Sequence, residues 1–283
     1  MDLRRRFIFR GNAAAIGGRI VRPTDQVLAS STASSLTVAG GRSQSQAKAT
    51  RFGQFVSFGT AATSAEGLFD DVKQQIEFTF GRVPEDSLTT STHVSSDVTS
   101  LIVGDKPKLT IKHLLASLSS KSPTGSGEPA IAVGSDTAID GVAIDKFGLI
   151  VTLAVPVFQR YDTLSKLLTA ADNPQFVKKS GGHLFMKSPL GGTPAPPTGR
   201  LVYGSGTTYA TIVKSIKWAG DAYPGAKIDQ NVVIVPEFGK IFFGELLITD
   251  VSRRLTLLRL ELGSPIGGAV ACAEVDSNGS WST

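Results

Sequence analysis

The chain has a single cysteine, few aromatic residues and no long hydrophobic run. Because Cys272 is the one cysteine among 283 residues, no disulfide can form within the chain, which excludes a disulfide-stapled secreted scaffold. Cys272 lies in the apolar run 269–275 and is interpreted as a small core residue. No apolar run approaches the roughly 20 residues of a membrane-spanning helix, so membrane insertion is not expected. Aromatic residues make up only 7% of the chain, so we expect a core filled mainly by aliphatic side chains and Phe.

Motifs for metal or cofactor binding are also missing. The three histidines, His93, His113 and His183, are isolated in sequence, and there is no Cys-x-x-Cys pair, so no zinc site is predicted. The glycine-rich stretches 204–206 and 125–127 lack the remaining residues of a dinucleotide-binding or phosphate-binding loop. The sequence therefore predicts no cofactor.

The charge of the chain is moderately basic. The formal net charge is +5, and the densest basic cluster is Arg4-Arg5-Arg6. Such a run can contact phosphates or an acidic surface, which makes these arginines candidate contacts for nucleic acid, although a solvated terminus is its commoner role. Only three apolar residues, Phe7 to Phe9, follow the arginines before Arg10, which is too short for a secretory signal. We therefore expect cytoplasmic synthesis, in a chain that could become part of a particle or an extracellular assembly.

What the sequence contains in abundance is short apolar runs separated by turn residues. Four of them follow one another with Pro, Gly, Asp or Ser between them, at 232–235, 240–249, 254–262 and 269–275. Runs of this length, rich in Val, Ile, Leu and Phe, are typical of adjacent β-strands. Thirty glycines and fourteen prolines supply the turns that such a fold needs. The sequence predicts a mainly β fold, a β-sandwich of jelly-roll type with two or three short helices.

Two of these runs have unusual patterns. In 240–249, apolar side chains fall on both faces of a strand: Ile241, Phe243 and Leu247 on one, and Phe242, Leu246 and Ile248 on the other. A strand that is apolar on both faces is buried on both sides, between two layers or at a subunit contact. In 254–262 the leucines change parity, and a β-bulge near Leu257-Leu258 would place all five leucines on one face.

Two segments have helical spacing of their apolar residues. The first comprises Ile111, Leu114, Leu115 and Leu118, although Leu109, Ile111 and Leu115 also suit a strand. The second comprises Leu164, Leu167, Leu168 and Ala171. This second segment has better caps, with Asp162 or Thr163 before it and Asn173-Pro174 after it.

Residues 188–199 are the best candidate for a domain boundary. They contain four prolines and three glycines, and such a stretch cannot lie inside a sheet. We interpret them as a linker between an N-terminal β-rich lobe with short helices, 1–187, and a C-terminal β lobe, 200–283. The alternative is a long surface loop within one domain.

These features favour a structural, self-assembling protein without a catalytic role, such as a subunit of a shell, capsid, tube or sheath. Copies of the chain would cover the strands that are apolar on both faces, and Gly/Ser-rich segments would become ordered against neighbours. The expected partner is therefore the chain itself, as a homo-oligomer. A shell enclosing a genome would also give Arg4, Arg5 and Arg6 a phosphate partner.

Two alternatives follow from the same sequence. The first is a β-sandwich binding module for a glycan or a protein, with these aromatic residues stacking on the ligand: Tyr203, Tyr209, Trp218 and Trp281. The second is a hydrolase whose site forms only in the fold, because catalytic triads are recognised by geometry and not by sequence position. Such a site would join a histidine and an acid to Ser126, Ser205 or Cys272.

Overall fold

The protein is a sandwich of two antiparallel β-sheets with three short helices. The structure, a computed structural model, describes residues 7–30, 32–70, 89–123, 128–176 and 208–281, and only the backbone of 278–281. The mainly β, sandwich-type fold expected from the sequence is confirmed. Within the described ranges, none of the helices has the length and apolar character that crossing a membrane requires.

The strands follow one another in chain order, and the helices lie between the thirteenth and fourteenth. The first ten strands are β1 (Phe7–Ile20), β2 (Gln26–Leu28), β3 (Ala33–Ser35), β4 (Gly41–Ala47), β5 (Thr50–Phe52), β6 (Val56–Phe58), β7 (Thr60–Phe69), β8 (Thr89–Gly104), β9 (Lys108–Pro123) and β10 (Ala130–Val133). The next ten are β11 (Ala138–Asp140), β12 (Val142–Ile144), β13 (Phe147–Leu153), β14 (Thr208–Thr211), β15 (Val213–Trp218), β16 (Lys227–Asp229), β17 (Val232–Val235), β18 (Gly239–Ile248), β19 (Ser252–Leu262) and β20 (Gly268–Trp281). The helices are α1 (Val155–Arg160), α2 (Leu164–Ala171) and α3 (Pro174–Phe176).

Both sheets combine strands from distant parts of the chain. Sheet I has the order β16-β17-β18-β19-β20-β1-β2, with β14 beside β18 and β3 beside β1. Sheet II has the order β15-β13-β12-β9-β8-β6-β5, with β10 and β11 also beside β9 and with β7 between β8 and β4. Strands from both sides of 188–199 therefore share each sheet and one core. The residues 188–199 lie outside the described ranges, so their role as a linker stays a prediction.

In four adjacent strands of sheet I, the buried side chains switch between odd-numbered and even-numbered positions. The four switches lie beside one another across the sheet. This parity row consists of Ala15 in β1, Gly244 in β18, Leu257 in β19 and Ala273 in β20. Gly244 and Ala273 have positive φ angles of 58° and 51°, typical of residues in a β-bulge. Because all four strands carry the extra residue, the cross-strand register is the same on both sides of the row.

The parity row accounts for both unusual patterns in the sequence. All five leucines of β19 are buried, and the parity change lies where a bulge was predicted, but neighbouring strands share it. The face assignment in β18 was wrong beyond Gly244: Leu246 and Ile248 are buried with Phe243, whereas Leu247 is on the outer face with Phe242. Simple alternation failed because Gly244 shifts the phase by one residue.

The sequence left 111–118 open between a helix and a strand. The strand is confirmed, the helix is wrong, and a similar parity change explains the helical spacing. The segment is part of β9, whose buried side chains switch phase at Lys112, so that Ile111 and Leu114 point into the core three residues apart. Three-residue spacing is the spacing of a helix face, and here a phase-shifted strand produces it. The second prediction is confirmed as α2, where the Thr163 side chain caps the backbone N–H of Lys166 at 3.1 Å.

Small residues fill one half of the space between the sheets. Cα atoms of β1 and β20 come within 8 Å of those of β8 and β9, closer than the roughly 10 Å usual between packed sheets. Some hydroxyl groups are paired across the sheets, as between Ser34 Oγ and Thr63 Oγ1 at 2.8 Å and between Ser277 Oγ and Ser120 Oγ at 3.2 Å. The close approach therefore follows from Ala, Ser and Thr side chains in place of Leu and Phe.

A buried arginine joins sheet I to the helices. The side chain of Arg253 in β19 is 1% exposed and donates from Nη1 to the Phe158 carbonyl at 3.4 Å and from Nη2 to the Tyr161 carbonyl at 2.8 Å. Both carbonyls lie at the end of α1, where helix carbonyls lack internal partners. Burial lowers the pKa of Arg253 to about 10, against the opposing charges of Asp162 and Glu128, so it stays protonated at neutral pH.

Candidate ligand-binding groove

A groove of about 810 Å³ lies on the outer face of sheet I, the face turned away from sheet II. We call it the outer groove. Its floor is formed by outward-pointing side chains of β18, β19 and β20, and its walls by Tyr209 of β14 and the turn 229–231 between β16 and β17. Its volume is within the range of about 300–1,000 Å³ typical of sites for small ligands.

The walls are fixed by the backbone of β18. Tyr209 is half-buried and lies directly opposite Leu247 in the pairing of β14 with β18. In the turn, Gln230 has a positive φ of 53°, and the buried Asn231 donates from Nδ2 to the Phe243 carbonyl at 3.0 Å. Both walls are therefore attached to the strand that forms the floor.

Arg259 is the central side chain of the floor. Its guanidinium Cζ lies 3.7 Å from the centre of the Phe242 ring, its neighbour across the strands. It donates from Nε and Nη2 to the two carboxylate oxygens of Glu245, at 2.6 and 2.8 Å, and from Nη1 to Glu261 at 2.6 Å. The hydrogen bond with Glu245 raises the pKa of Arg259 against the effect of burial, and the contacts with Glu261 raise it further. The guanidinium is therefore held flat and charged.

The carboxylate of Glu261 is shared between two cations. Burial alone would raise its pKa, but the hydrogen bond and charge of Arg259 and the nearby Lys240, 3.5 Å away, outweigh burial and lower it. Glu261 is therefore ionised throughout the neutral range, and this edge of the groove keeps its charge pattern.

The remaining charged groups leave the groove acidic. Glu274 accepts a hydrogen bond from Thr256 Oγ1 at 3.0 Å and forms no ion pair within the described ranges. Arg254 reaches out of the groove to Asp276, 3.2 Å away. The lining has four carboxylates, of Asp229, Glu245, Glu261 and Glu274, against two arginines, Arg254 and Arg259, which makes its formal charge −2. The whole chain, by contrast, carries +5.

Of the four aromatic residues predicted to stack on a ligand, Tyr209 lies in the outer groove. Trp218 is half-buried on β15 of sheet II, opposite Leu149, and is not part of the groove lining. The other predicted contact residues lie outside the described side chains: Arg4, Arg5, Arg6, Tyr203 and Trp281.

The described candidates for a hydrolase do not converge. His93 and His113 both lie on the outer face of sheet II, where His93 Nδ1 is 2.9 Å from Ser119 Oγ and His113 Nε2 is 3.1 Å from Asp97 Oδ1. Cys272 is fully buried between the sheets, and burial raises the pKa of its thiol far above the ordinary value, as expected of a core residue. The other three candidates, His183, Ser126 and Ser205, lie outside the described ranges. No three metal-binding side chains in those ranges form a group that could hold an ion.

The main residues of the groove were not singled out from the sequence. One sequence feature could have indicated them: Arg254, Arg259 and Glu261 interrupt the leucine run of β19. Charged residues on one face of a core strand indicate that this face is the outer one. The partners of these charges come from β18 and β20, and the pairing of those strands is set by the register and not by sequence proximity.

The fold and the groove together define a two-sheet β-sandwich with a charged, aromatic-bearing groove on one outer face. Residues 7–183, more than half of the chain, match the model of the family described as Domain of unknown function (DUF8256), and the chain belongs to this family. No curated protein and no solved structure matches the chain. The groove side chains, from Tyr209 to Glu274, all lie beyond the matched range.

Proposed function

We propose that the protein is a non-catalytic binding module that holds a glycan in the outer groove. The observation that carries the proposal is the arrangement around Arg259, a flat guanidinium stacked on Phe242 and fixed by Glu245 and Glu261. Its orientation is set before any ligand arrives, so binding does not have to order a long flexible side chain.

The polar groups of the groove suit a ligand rich in hydroxyls. Sugar hydroxyls both donate and accept hydrogen bonds, and the groove offers carboxylate acceptors such as Glu274 beside groups that can donate, such as the Tyr209 hydroxyl and the Gln230 amide. Tyr209 and the Phe242 ring add apolar surface for the C–H faces of a sugar. Charge-assisted hydrogen bonds from sugar hydroxyls to carboxylates are stronger than neutral ones and would give the site its specificity.

The charge of the groove narrows the class of glycan. A formal charge of −2 in the lining repels sulfate and carboxylate groups, although the chain as a whole is basic. The proposal therefore specifies a neutral oligosaccharide or one bearing amino groups. Anionic polysaccharides, which a basic protein attracts non-specifically, would bind elsewhere or be lost in salt.

The self-assembly expected from the sequence stays a prediction. Its main support was the run 240–249, apolar on both faces and expected to need a covering layer or subunit. The outer residues of that strand, Phe242 and Leu247, line the groove, so a bound ligand would cover them without a second copy. The geometry supports the binding module better for this reason.

The proposal is tested by titrating the protein with neutral, amino-bearing and sulfated oligosaccharides in an isothermal titration calorimeter. The best neutral or amino-bearing ligand should bind about five- to tenfold more weakly to Glu274→Gln, because one acceptor for a ligand hydroxyl loses its charge. Asp136→Asn is the matched control, since Asp136 is an exposed acid outside the groove, and it should bind like the wild type. Absence of binding to every neutral and amino-bearing ligand, or equal loss in both variants, refutes the proposal.

A further inference from the structure

A second cleft, separate from the outer groove, lies where three turns meet. It has a volume of about 360 Å³ and is lined by Asp145, Phe147, Tyr223, Pro224, Pro236 and Glu237. Asp145 belongs to the turn between β12 and β13, Tyr223 and Pro224 to the segment before β16, and Pro236 and Glu237 to the turn between β17 and β18. We call it the turn cleft.

Aromatic rings and prolines form the apolar part of the turn cleft. The ring centres of Phe147 and Tyr223 are 5.3 Å apart at an interplanar angle of 72°, an edge-to-face pair. Both residues are half-buried, and Pro224 and Pro236 beside them are exposed. These side chains have little rotational freedom, so the walls are already in place before a partner binds.

Two carboxylates border the rings. Asp145 Oδ1 accepts a hydrogen bond from the backbone N–H of Lys108 at 3.0 Å, which fixes this carboxylate. Burial, followed by the charges of Asp145 and Glu237, raises the pKa of Tyr223, so both acids act on the same phenol. The phenol thus remains a hydrogen-bond donor at neutral pH. The Nζ of Lys146 lies 5.4 Å from the centre of the Phe147 ring.

We propose that the turn cleft binds a proline-rich segment of a partner protein, in polyproline II conformation and with a basic residue beside its prolines. Such segments dock in grooves lined by aromatic residues because the extended helix is preformed and loses little entropy on binding. Proline rings would pack against Phe147 and Tyr223, which line the cleft.

The polar groups of the turn cleft suit the backbone carbonyls and the basic residue of such a peptide. The backbone of a polyproline II helix makes no internal hydrogen bonds, so its carbonyls accept from outside donors, and the Tyr223 hydroxyl is such a donor. Asp145 and Glu237 attract an arginine or lysine next to the prolines and repel an acidic peptide. The cleft therefore selects both the conformation and the charge of the peptide.

The proposal is tested with a synthetic peptide of six prolines followed by arginine, titrated by NMR into the 283-residue chain. Its affinity should fall about fivefold or more in Tyr223→Ala, because an aromatic packing surface is lost. It should fall about two- to fivefold in Glu237→Gln, and the weaker salt dependence of this variant should show that the arginine contact was removed. Glu274→Gln, in the outer groove, should bind the peptide like the wild type.

Three results would overturn the proposal: no binding by the wild type at millimolar peptide, equal binding of a Gly/Ser peptide ending in arginine, or no loss in Tyr223→Ala. Tyr223→Phe is a control for misfolding of Tyr223→Ala. It keeps the aromatic ring, so its affinity for the peptide should fall only by the contribution of the hydroxyl. Far-ultraviolet circular dichroism of each variant checks the fold. The outcome is independent of the glycan titration, because the two pockets share no lining residue.

Discussion

Replacing Arg253 tests whether its hydrogen bonds outweigh the cost of burying its charge. A hydrogen bond from a charged donor contributes about 1.5–3 kcal/mol, so the contacts with the Phe158 and Tyr161 carbonyls together supply about 3–6 kcal/mol. The pKa falls from 12.5 to about 10, which at 1.36 kcal/mol for each pKa unit corresponds to a cost of about 3 kcal/mol.

Arg253→Met removes the two hydrogen bonds together with the free-energy cost of burying the charge. We therefore expect a loss of about 1.5 kcal/mol in the free energy of unfolding, the difference between about 4.5 kcal/mol, the middle of the hydrogen-bond range, and the cost of about 3 kcal/mol. Arg253→Lys is the more discriminating variant, because lysine keeps a buried charge but cannot bridge both carbonyls. It should lose as much stability as the methionine variant, or more, despite its conserved charge.

The measurement is urea unfolding of each variant, followed by circular dichroism, with thermal melting as a second probe. A loss of about 1.5 kcal/mol corresponds to a fall in Tm of roughly 3–6 °C for a chain of this size. Arg254→Met is the control, because the neighbouring Arg254 side chain is 51% exposed and has one ion pair, and its loss should be at most about 1 kcal/mol. Wild-type stability of Arg253→Lys would show that the two-carbonyl bridge does not hold α1 in place.

Four further predictions concern other parts of the molecule. The Cys272 thiol is fully buried, and burial raises its pKa. It should therefore not react with an aromatic disulfide reagent at pH 8 until the protein unfolds. Fast labelling of the native protein would contradict the buried position of Cys272. Gly244→Ala should lower the urea midpoint by the equivalent of about 1–3 kcal/mol. The backbone φ at this position is 58°, and an added Cβ would lie 2.8 Å from Ile212 Cγ1, so the substitution strains the strand. An unchanged midpoint would contradict this strain. Thr163→Ala should cost about 1 kcal/mol in the same assay, through loss of the cap of α2. Glu261 has a folded-state pKa below the ordinary 4.5, so its contribution is present above pH 4.5 and is lost as the pH falls through the folded value. Urea midpoints of wild type and Glu261→Gln should differ at pH 7, and the difference should shrink as the pH is lowered through the acid range.

The strands near the end of the chain could be predicted because their signals are local. The runs at 232–235 and 254–262 lie within β17 and β19, since aliphatic residues between turn residues mark a strand wherever it pairs. The helix α2 was predictable for a similar reason, because Thr163 and Asn173-Pro174 mark its ends in the sequence itself.

Pairing and parity could not be predicted, because they depend on residues far away in the chain. Nothing near Phe7 or Trp281 shows that β1 and β20 are neighbours. The phase change at Lys112 gives β9 a helical pattern, and only the shared register with β8 reveals it as a strand. The ion pairs of the groove join Arg259 to Glu245 on the next strand, which single-strand patterns do not show.

The parity row restricts how this sheet can change in evolution. Deleting Leu257 alone would restore simple alternation in β19 while its neighbours kept their shifted phase, so every side chain on one side of the deletion would face the wrong way. A matching loss in Ala15, Gly244 and Ala273 would have to accompany it. We therefore expect related sheets to inherit the row whole or to lack it entirely, and single-residue insertions to accumulate in the turns between strands.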